Sequence, residues 1–341
     1  MRNKISRRGI FPFLVHPILN YLMNRRRFLE KSTSCSAHLL GLSAFGLGAG
    51  AEAFAAGKKN KVVATEKWGR LEEITPGVWA LISTGFQTRD YTTVCNGGII
   101  AGKTGVLAIE GTNSPRGAKW LKAQAEKLAG RAPTDMVVTH FHGDHVNGHS
   151  GYHRKDSSLK TWVTAPSRAM AERSFAKRKS RIVPFQNVQE LSTKETTEID
   201  LGGRTVSIVP RKGHTMSDVM IEISDPKVVW TGDLFFNRIF PNYGDAVPNL
   251  LNDYATEMSK LDDETIVVPG HGQVADQAAI KVYQTFLKEI QMAATKAHEA
   301  GQPALTAAGE YSLPKSLDKW LVWSPENINR AFIAWHRLLD K

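Results

Sequence analysis

One short segment limits what this chain of 341 residues can fold into more than any other, because it gathers three histidines and an aspartate within six positions. The segment reads HFHGDH, runs from His140 to His145 and follows the apolar run Met136–Thr139. In an extended backbone His140 and His142 point to the same side, and Gly143 permits a sharp turn that brings the aspartate and the last histidine back toward them. Nitrogen and oxygen donors concentrated in this way predict a metal site, with zinc as the first choice and iron or manganese as alternatives.

Three further segments each place a residue that can bind metal directly after an apolar run, with a glycine before it. They are Gly213-His214-Thr215, Gly232-Asp233 and Gly270-His271-Gly272. A glycine next to a ligand is expected where the backbone must pack closely against a site. The four segments together indicate one site assembled at the ends of several strands.

Short β-rich runs and helical periods alternate along the chain. Strands come first, strand–helix units follow, and the chain ends in helices. Strands are predicted at 78–83, 92–101, 105–109, 136–139, 161–164, 205–210, 219–223, 228–230 and 265–268. Helices are predicted at 115–128, 165–178, 247–261, 275–300 and 326–339. This order favours two sheets between outer helices over one doubly wound sheet.

The four motifs, His-x-His-x-Asp-His, Gly-His-Thr, Gly-Asp and Gly-His in that order, resemble those of the metallo-β-lactamase superfamily. The resemblance spans roughly residues 67–296 and implies an α+β fold, an αββα sandwich of two mixed sheets between outer helices, with the metals at one edge. It also implies two zinc ions held by seven side chains. On this resemblance the first metal is held by His140, His142 and His214, the second by Asp144, His145 and His271, and both by Asp233.

The implied chemistry is hydrolysis by a hydroxide that bridges two divalent ions, since such ions lower the pKa of a shared water. The hydroxide would attack a carbonyl carbon of an amide, ester, lactone or thioester. Asp144 is expected to be the catalytic carboxylate, which orients the nucleophile and carries a proton.

Departures from known branches narrow the choice. His142 stands where the di-iron flavoprotein branch has glutamate, and Asp233 stands where one large class of metallo-β-lactamases has cysteine. Lactonases of this fold place a tyrosine three residues after the bridging aspartate, whereas this chain has Phe236. The usual aspartate at the end of an early strand is Glu110, either a support for the ligand loop or an ordinary strand-end carboxylate. The overall pattern is similar to that of exported, glyoxalase II-like or quinoprotein-relay-like hydrolases.

Other functions remain open from the sequence. The chain could be a β-lactamase specifically, a mononuclear iron persulfide dioxygenase, or a non-catalytic accessory protein of a periplasmic redox system. The substrate candidates are Phe86, in the loop Ser83–Tyr91 that could form a flap, and Arg238, which could bind a carboxylate. A plain hairpin loop and a surface arginine are the alternatives. His149 and His153 are predicted to be surface histidines rather than ligands.

The N-terminal 55 residues resemble a twin-arginine export signal. Arg25-Arg26-Arg27-Phe28-Leu29 precedes an apolar, glycine- and alanine-rich stretch that ends at the small-x-small pattern Ala53-Phe54-Ala55. We therefore expect a leader at 1–55, a single hydrolase domain with C-terminal helices at 56–341, and a periplasmic location. Translation would start at Met1 or Met23.

The charge of the chain argues against nucleic-acid binding. The formal net charge is +11, but residues 1–55 contain eight basic and two acidic side chains, which leaves 36 basic against 31 acidic in the remainder. Such a balance lacks the dense basic surface of a nucleic-acid binder. We expect a small-molecule substrate, no nucleic-acid partner and no membrane span after removal of the leader. The oligomeric state cannot be read from the sequence.

Overall fold

The computed structural model describes residues 60–153, 158–177, 183–317 and 319–341. All of them belong to the unit Gly57–Lys341. The expected leader at 1–55 lies outside the described residues.

The larger sheet has eight strands in the order in which they occur along the chain. Strands β1 to β5 form an antiparallel meander, and β5 to β8 are parallel neighbours. The strands are β1 Lys61–Glu66, β2 Gly69–Thr75, β3 Val78–Ser83, β4 Gly97–Ala101, β5 Val106–Ile109, β6 Asp135–Val137, β7 Lys160–Thr164 and β8 Val188–Leu191.

The smaller sheet has five strands in the order β13-β12-β11-β10-β9. Its pairs are antiparallel except for β12 and β13, where Val229 lies opposite Val267 in parallel register. The strands are β9 Thr197–Asp200, β10 Thr205–Arg211, β11 Asp218–Ser224, β12 Lys227–Trp230 and β13 Ile266–Val268. Strands β10, β12 and β13 therefore run in the same direction and end at the same edge.

The described helices lie outside the two sheets or in the loops at their edge. They are α1 Gly85–Thr88, α2 Pro115–Ala129, α3 Gly143–Val146, α4 Ala165–Lys177, α5 Pro248–Met258, α6 Gln277–Glu299, α7 Ala304–Glu310 and α8 Pro325–Leu339. Local signals explain the longer ones. Helix α2 begins with Ser114, whose hydroxyl accepts a hydrogen bond from the Gly117 amide, and ends at Gly130 in the left-handed conformation.

The alternation of β3 shows how the layers are built. Val78 and Ile82 belong to the core between the two sheets, whereas Trp79 and Leu81 face the layer that contains α2 and α4. The remaining core packs α5 to α8 against the outer side of the smaller sheet. Three apolar layers between four structural layers give the αββα sandwich and confirm the predicted α+β fold.

Some predicted elements differ from the structure. The predicted strand at 92–101 begins only at Gly97, because Asn96 turns toward the other sheet, where its side-chain amide donates to the carbonyls of Pro269 and Gly272. Strands β1, β2, β8 and β9 and helices α1, α3 and α7 were not predicted. They lie mostly at sheet edges or on the surface, where the apolar period is weak.

Candidate metal centre

Seven side chains that can bind metal meet at one edge of the sandwich. Four loops supply them, and each loop follows a strand whose carboxyl end reaches this edge. Two groups could each hold a metal ion: His140, His142, His214 and Asp233 in the first, and Asp144, His145 and His271 in the second.

In the first group, three imidazole nitrogens converge. His142 Nδ1 lies 3.1 Å from His140 Nε2 and 2.9 Å from His214 Nε2. Two nitrogens bound to one tetrahedral zinc at about 2.0–2.1 Å are separated by roughly 3.3 Å. A cation at the common centre of the three ring nitrogens fits these distances, because the lone pair of each nitrogen then points toward the cation.

In the second group, the Asp144 carboxylate faces two rings. Its Oδ2 lies 3.4 Å from His271 Nε2 and 3.6 Å from His145 Nε2. The side chain of Asp144 is 24% exposed, whereas both histidines are buried, so Asp144 is the part of this group that solvent reaches.

Asp233 lies between the two groups, with one oxygen toward each. Its Oδ2 is 3.3 Å from His214 Nε2 and 3.8 Å from His140 Nε2. Its Oδ1 is 3.2 Å from both His145 Nε2 and His271 Nε2. The carboxylate can therefore serve both groups at once.

The chemistry of these atoms fits bound metal. His145 Nε2 and Asp233 Oδ1 are buried and make no hydrogen bond to any described residue, although they face each other. A buried polar group without a partner costs about 1–3 kcal/mol. A metal ion that accepts lone pairs from both atoms removes this penalty.

The close approach of the backbone explains the glycines before the ligand positions. A Cβ atom added to Gly270 would overlap Asp233 Oδ1 and the carbonyl of Gly232. Gly232 itself has φ +51°, in the left-handed region. The expectation of close backbone packing is confirmed at these positions.

Glu110 supports the second group from behind. His145 Nδ1 lies 3.0 Å from Glu110 Oε1, which also accepts a hydrogen bond from the Thr139 hydroxyl. Glu110 is 2% exposed and has φ +74°, a left-handed backbone conformation. Of the two roles predicted for Glu110, support of the ligand loop is confirmed.

Two further rings are oriented in the same way. His271 Nδ1 lies 3.2 Å from the carbonyl oxygen of Val94, and His142 Nε2 lies 2.9 Å from Asp245 Oδ2. A hydrogen bond at the far nitrogen fixes the tautomer and leaves the near nitrogen free to bind metal. The sequence analysis missed the role of Asp245, which follows no strand and has no neighbouring motif.

Burial keeps two histidines of the first group neutral. It lowers the pKa of His214 to about 3 and holds the pKa of His140 well below its usual range. These rings are therefore neutral at pH 7, as metal binding requires. Burial raises the pKa of Asp233, but the charges of His271, His145 and other neighbours outweigh it and keep this pKa well below its usual range.

A second buried carboxylate holds the loop that contains His214. The Asp218 carboxylate accepts hydrogen bonds from the Thr215 amide at 2.8 Å and from the Thr215 hydroxyl at 2.6 Å. Burial raises the pKa of Asp218 to about 7. The two bonds close a tight turn directly after His214 and fix its backbone.

Of the two substrate candidates, Phe86 packs against another aromatic ring and Arg238 lies on the surface. Phe86 lies in the short helix α1 and stacks on Trp323, with ring centroids 3.9 Å apart. Arg238 is exposed, has φ +58°, and its carbonyl oxygen accepts a hydrogen bond from the Leu321 amide. Phe235 and Phe236, which follow Asp233, are completely buried.

The prediction that His149 is a surface histidine is wrong. Its ring is buried between Phe175 and Phe185, and Nε2 lies 2.9 Å from the carbonyl oxygen of Val183. A histidine can be buried when a backbone carbonyl satisfies its N–H, and sequence spacing does not reveal that partner. Cys95 is buried, and its thiol donates to the carbonyl of Asp144.

Comparison with known proteins agrees with this geometry. The family model described as the metallo-beta-lactamase superfamily matches residues 93–271, which include all seven side chains. The chain belongs to this superfamily. Its members are metal-dependent hydrolases, and the chain is an enzyme of that class.

Individual relatives are distant. The metallo-beta-lactamase type 2 of Bacillus sp. (strain 170) is 22% identical over 215 residues, covering 62% of this chain and 79% of the relative. The hydroxyacylglutathione hydrolase of Rhodopseudomonas palustris (strain BisA53) is 26% identical over 210 residues, covering 62% and 74%. The solved metallo-beta-lactamase from Pontibacter korlensis shares the fold, with a TM-score of 0.52, 19% identity and coverage of 64% and 99%.

Across the described ranges, no helix has both the length and the apolar character that a membrane crossing needs.

Proposed function

We propose that the chain is an exported binuclear zinc hydrolase that cleaves an amide, ester, lactone or thioester bond at its carbonyl carbon. The observation that supports this most strongly is Asp233, whose two oxygens face the two groups separately. We assign His140, His142 and His214 to one ion, Asp144, His145 and His271 to the other, and Asp233 to both. Imidazole and carboxylate donors suit zinc first, with iron or manganese as alternatives.

When bound, two such ions would polarise the substrate carbonyl and supply a water of lowered pKa. Two carboxylates of the protein have separate roles beside these ions. Asp233 is ionised and 5% exposed, so it serves as a fixed negative charge. Asp144 is reached by solvent, so its carboxylate can orient a water molecule and carry a proton away from the site.

The substrate class rests on the superfamily and on the names of relatives. Those names describe a metallo-beta-lactamase and a hydroxyacylglutathione hydrolase. A β-lactam is therefore one candidate substrate, and other activated carbonyl compounds are equally compatible with the site. The fold itself selects none of them.

The test combines metal content with turnover on one sample. Elemental analysis of the purified protein is expected to give about two zinc ions per chain, with hydrolysis of nitrocefin, a simple lactone or a thioester. One iron per chain without hydrolysis would favour the persulfide dioxygenase instead. Two metals without turnover of any substrate would favour the accessory protein, and the search would move to partner chains.

We further propose that residues 1–55 direct export through the twin-arginine route and that 56–341 form the single hydrolase domain. Replacement of Arg25 and Arg26 by lysine is expected to retain the protein in the cytoplasm. Replacement of Lys58 and Lys59 by arginine, which alters basic residues behind the expected cleavage point, serves as the control. Cell fractionation with immunodetection measures both. Normal export of the Arg25/Arg26 variant would contradict the proposed route.

A further inference from the structure

A short C-terminal segment is held against the candidate metal centre by its backbone. The Leu321 amide donates to the carbonyl of Arg238 at 3.0 Å, and the Phe240 amide donates to the carbonyl of Leu321 at 2.9 Å. We call residues 321–323 the strap. The family match ends at residue 271, and the strap begins 50 positions later. The strap therefore lies outside the part of the chain that the family model matches.

The strap brings Trp323 into contact with a residue of the metal centre. The Trp323 ring lies 4.6 Å from the His271 ring in an edge-on arrangement. Phe236 stacks on the His271 ring at 5.1 Å. The Phe236 ring also meets the Trp323 ring edge-on at 6.2 Å, so a core aromatic ring and the strap meet beside His271.

An aromatic row extends from Trp323 toward solvent. Phe86 stacks on Trp323 with centroids 3.9 Å apart and an angle of 16° between the ring planes, and Tyr91 meets Phe86 edge-on at 5.8 Å. Exposure increases along the row. His271 is 2% exposed, Trp323 and Phe86 are half-buried, and Tyr91 is 51% exposed. We call Tyr91, Phe86 and Trp323 the aromatic row.

The row has the properties of a binding surface for a flat apolar group. Its three members are uncharged, and rings that remain partly exposed gain from stacking with a further ring. Core packing alone does not account for Tyr91, since half of its surface is open to solvent.

We propose that the aromatic row is a substrate subsite beside His271 that binds an aromatic group, and that Trp323 is its specificity-determining residue. This inference rests on the proposed hydrolase, because it describes which carbonyl substrates that site prefers. Substrates with an aromatic substituent bind with the ring on the row and the scissile carbonyl at the metal centre.

The test uses thiols as probes, because a thiolate binds directly to metal and anchors the ligand at the centre. Calorimetry on the zinc-loaded full chain compares 2-phenylethanethiol, 2-cyclohexylethanethiol and ethanethiol. The phenyl compound is expected to bind the unaltered protein roughly tenfold or more tightly than ethanethiol, and more tightly than the cyclohexyl compound.

Trp323→Ala is expected to reduce the preference for the phenyl compound over ethanethiol to roughly threefold or less, while the affinity for ethanethiol itself changes little. Trp323→Phe should retain most of the preference, which excludes a general loss of structure. Tyr91→Ala, at an exposed position, should reduce it partly. Leu305→Ala, at an exposed position of α7, serves as the control and should leave it unchanged.

The outcomes separate this inference from the proposed function. Equal affinity for phenyl and ethyl thiols, or an unchanged preference in Trp323→Ala, overturns the subsite even when the protein hydrolyses carbonyl compounds. Failure of every thiol to bind the zinc-loaded protein overturns the accessible metal centre, and the proposed function with it.

Discussion

His142 Nε2 lies 2.9 Å from Asp245 Oδ2, although the two residues are 103 positions apart in the chain. The hydrogen bond from this ring lowers the pKa of Asp245, so the carboxylate is ionised and can hold the N–H of His142. Helix α8 steadies the loop, since the Arg330 guanidinium donates to Asn242 Oδ1 at 2.9 Å and the same oxygen accepts from the Gly244 amide.

Asp245→Ala is expected to weaken zinc binding by roughly 10–100-fold, because loss of the carboxylate frees the His142 ring to rotate and to change tautomer. Competition with a chelator of known affinity measures this. Asp340→Ala is the matched control, since Asp340 makes an equally short contact with His298 on helix α6. Equal zinc affinity of both variants and the unaltered protein would show that Asp245 does not position His142.

Asp233→Ala is expected to lose the second metal and most hydrolysis while the fold survives. The carboxylate contributes to both groups, and its replacement leaves the imidazole-rich first group better able to retain an ion. Elemental analysis, circular dichroism and turnover on one preparation measure the three quantities. Two metals with full activity would refute the bridging assignment.

Glu110→Ala is expected to lower the free energy of unfolding by about 1–3 kcal/mol, because it leaves the buried donors of His145 and Thr139 without their acceptor. Glu110→Gln keeps an oxygen acceptor and should lose less. Denaturant unfolding monitored by tryptophan fluorescence measures both. Glu190→Ala, at an exposed position of β8, is the control and should change stability by less than about 0.5 kcal/mol. A loss no greater than that of the control would show that Glu110 has no supporting role.

His149 predicts a pH dependence that is independent of the metal centre. Burial lowers the pKa of His149 to about 4, against a usual value of 6.5. The unfolded chain therefore binds the proton first as the pH falls, so the folded state loses stability from about pH 6.5 down to pH 4. The slope is at most about 1.4 kcal/mol per pH unit for this one group.

Unfolding free energies measured in chelator at pH 7 and pH 4.5 test this point. His149→Gln retains a donor for the Val183 carbonyl but does not titrate, so it should lose less stability than the unaltered protein over this interval. Thr285→Ala, at an exposed position of helix α6 that does not titrate, is the control and should behave like the unaltered protein. If His149→Gln lost as much stability as the unaltered protein over this interval, other titratable groups would be the cause of the pH dependence.

The sequence predicted the parts of the site that are local and failed for the parts that depend on tertiary contacts. The side chains from His140 to His145 and those after β10, β12 and β13 could be found because each segment follows an apolar strand and contains a glycine beside its ligands. Their convergence needs only the rule that strands running in one direction end at one edge. The fold followed from the same order of elements.

Asp245, Val94 and Trp323 could not be found in this way. Each meets the centre through a single long-range contact, and neither periodicity nor a neighbouring motif identifies it. His149 was placed on the surface because histidine is usually half-exposed, and its carbonyl partner Val183 lies 34 residues away. Such contacts depend on how loops pack after the sheets have formed.

The strap is held by the amide and the carbonyl of Leu321, and these bonds are indifferent to the side chain two positions later. The backbone at position 323 is thus fixed independently of the residue that stands there. A library of all amino acids at this one codon would vary the side chain beside His271 while the backbone bonds of Leu321 are retained. The chain therefore offers protein engineers one position at which the proposed selectivity can be varied on an anchored backbone.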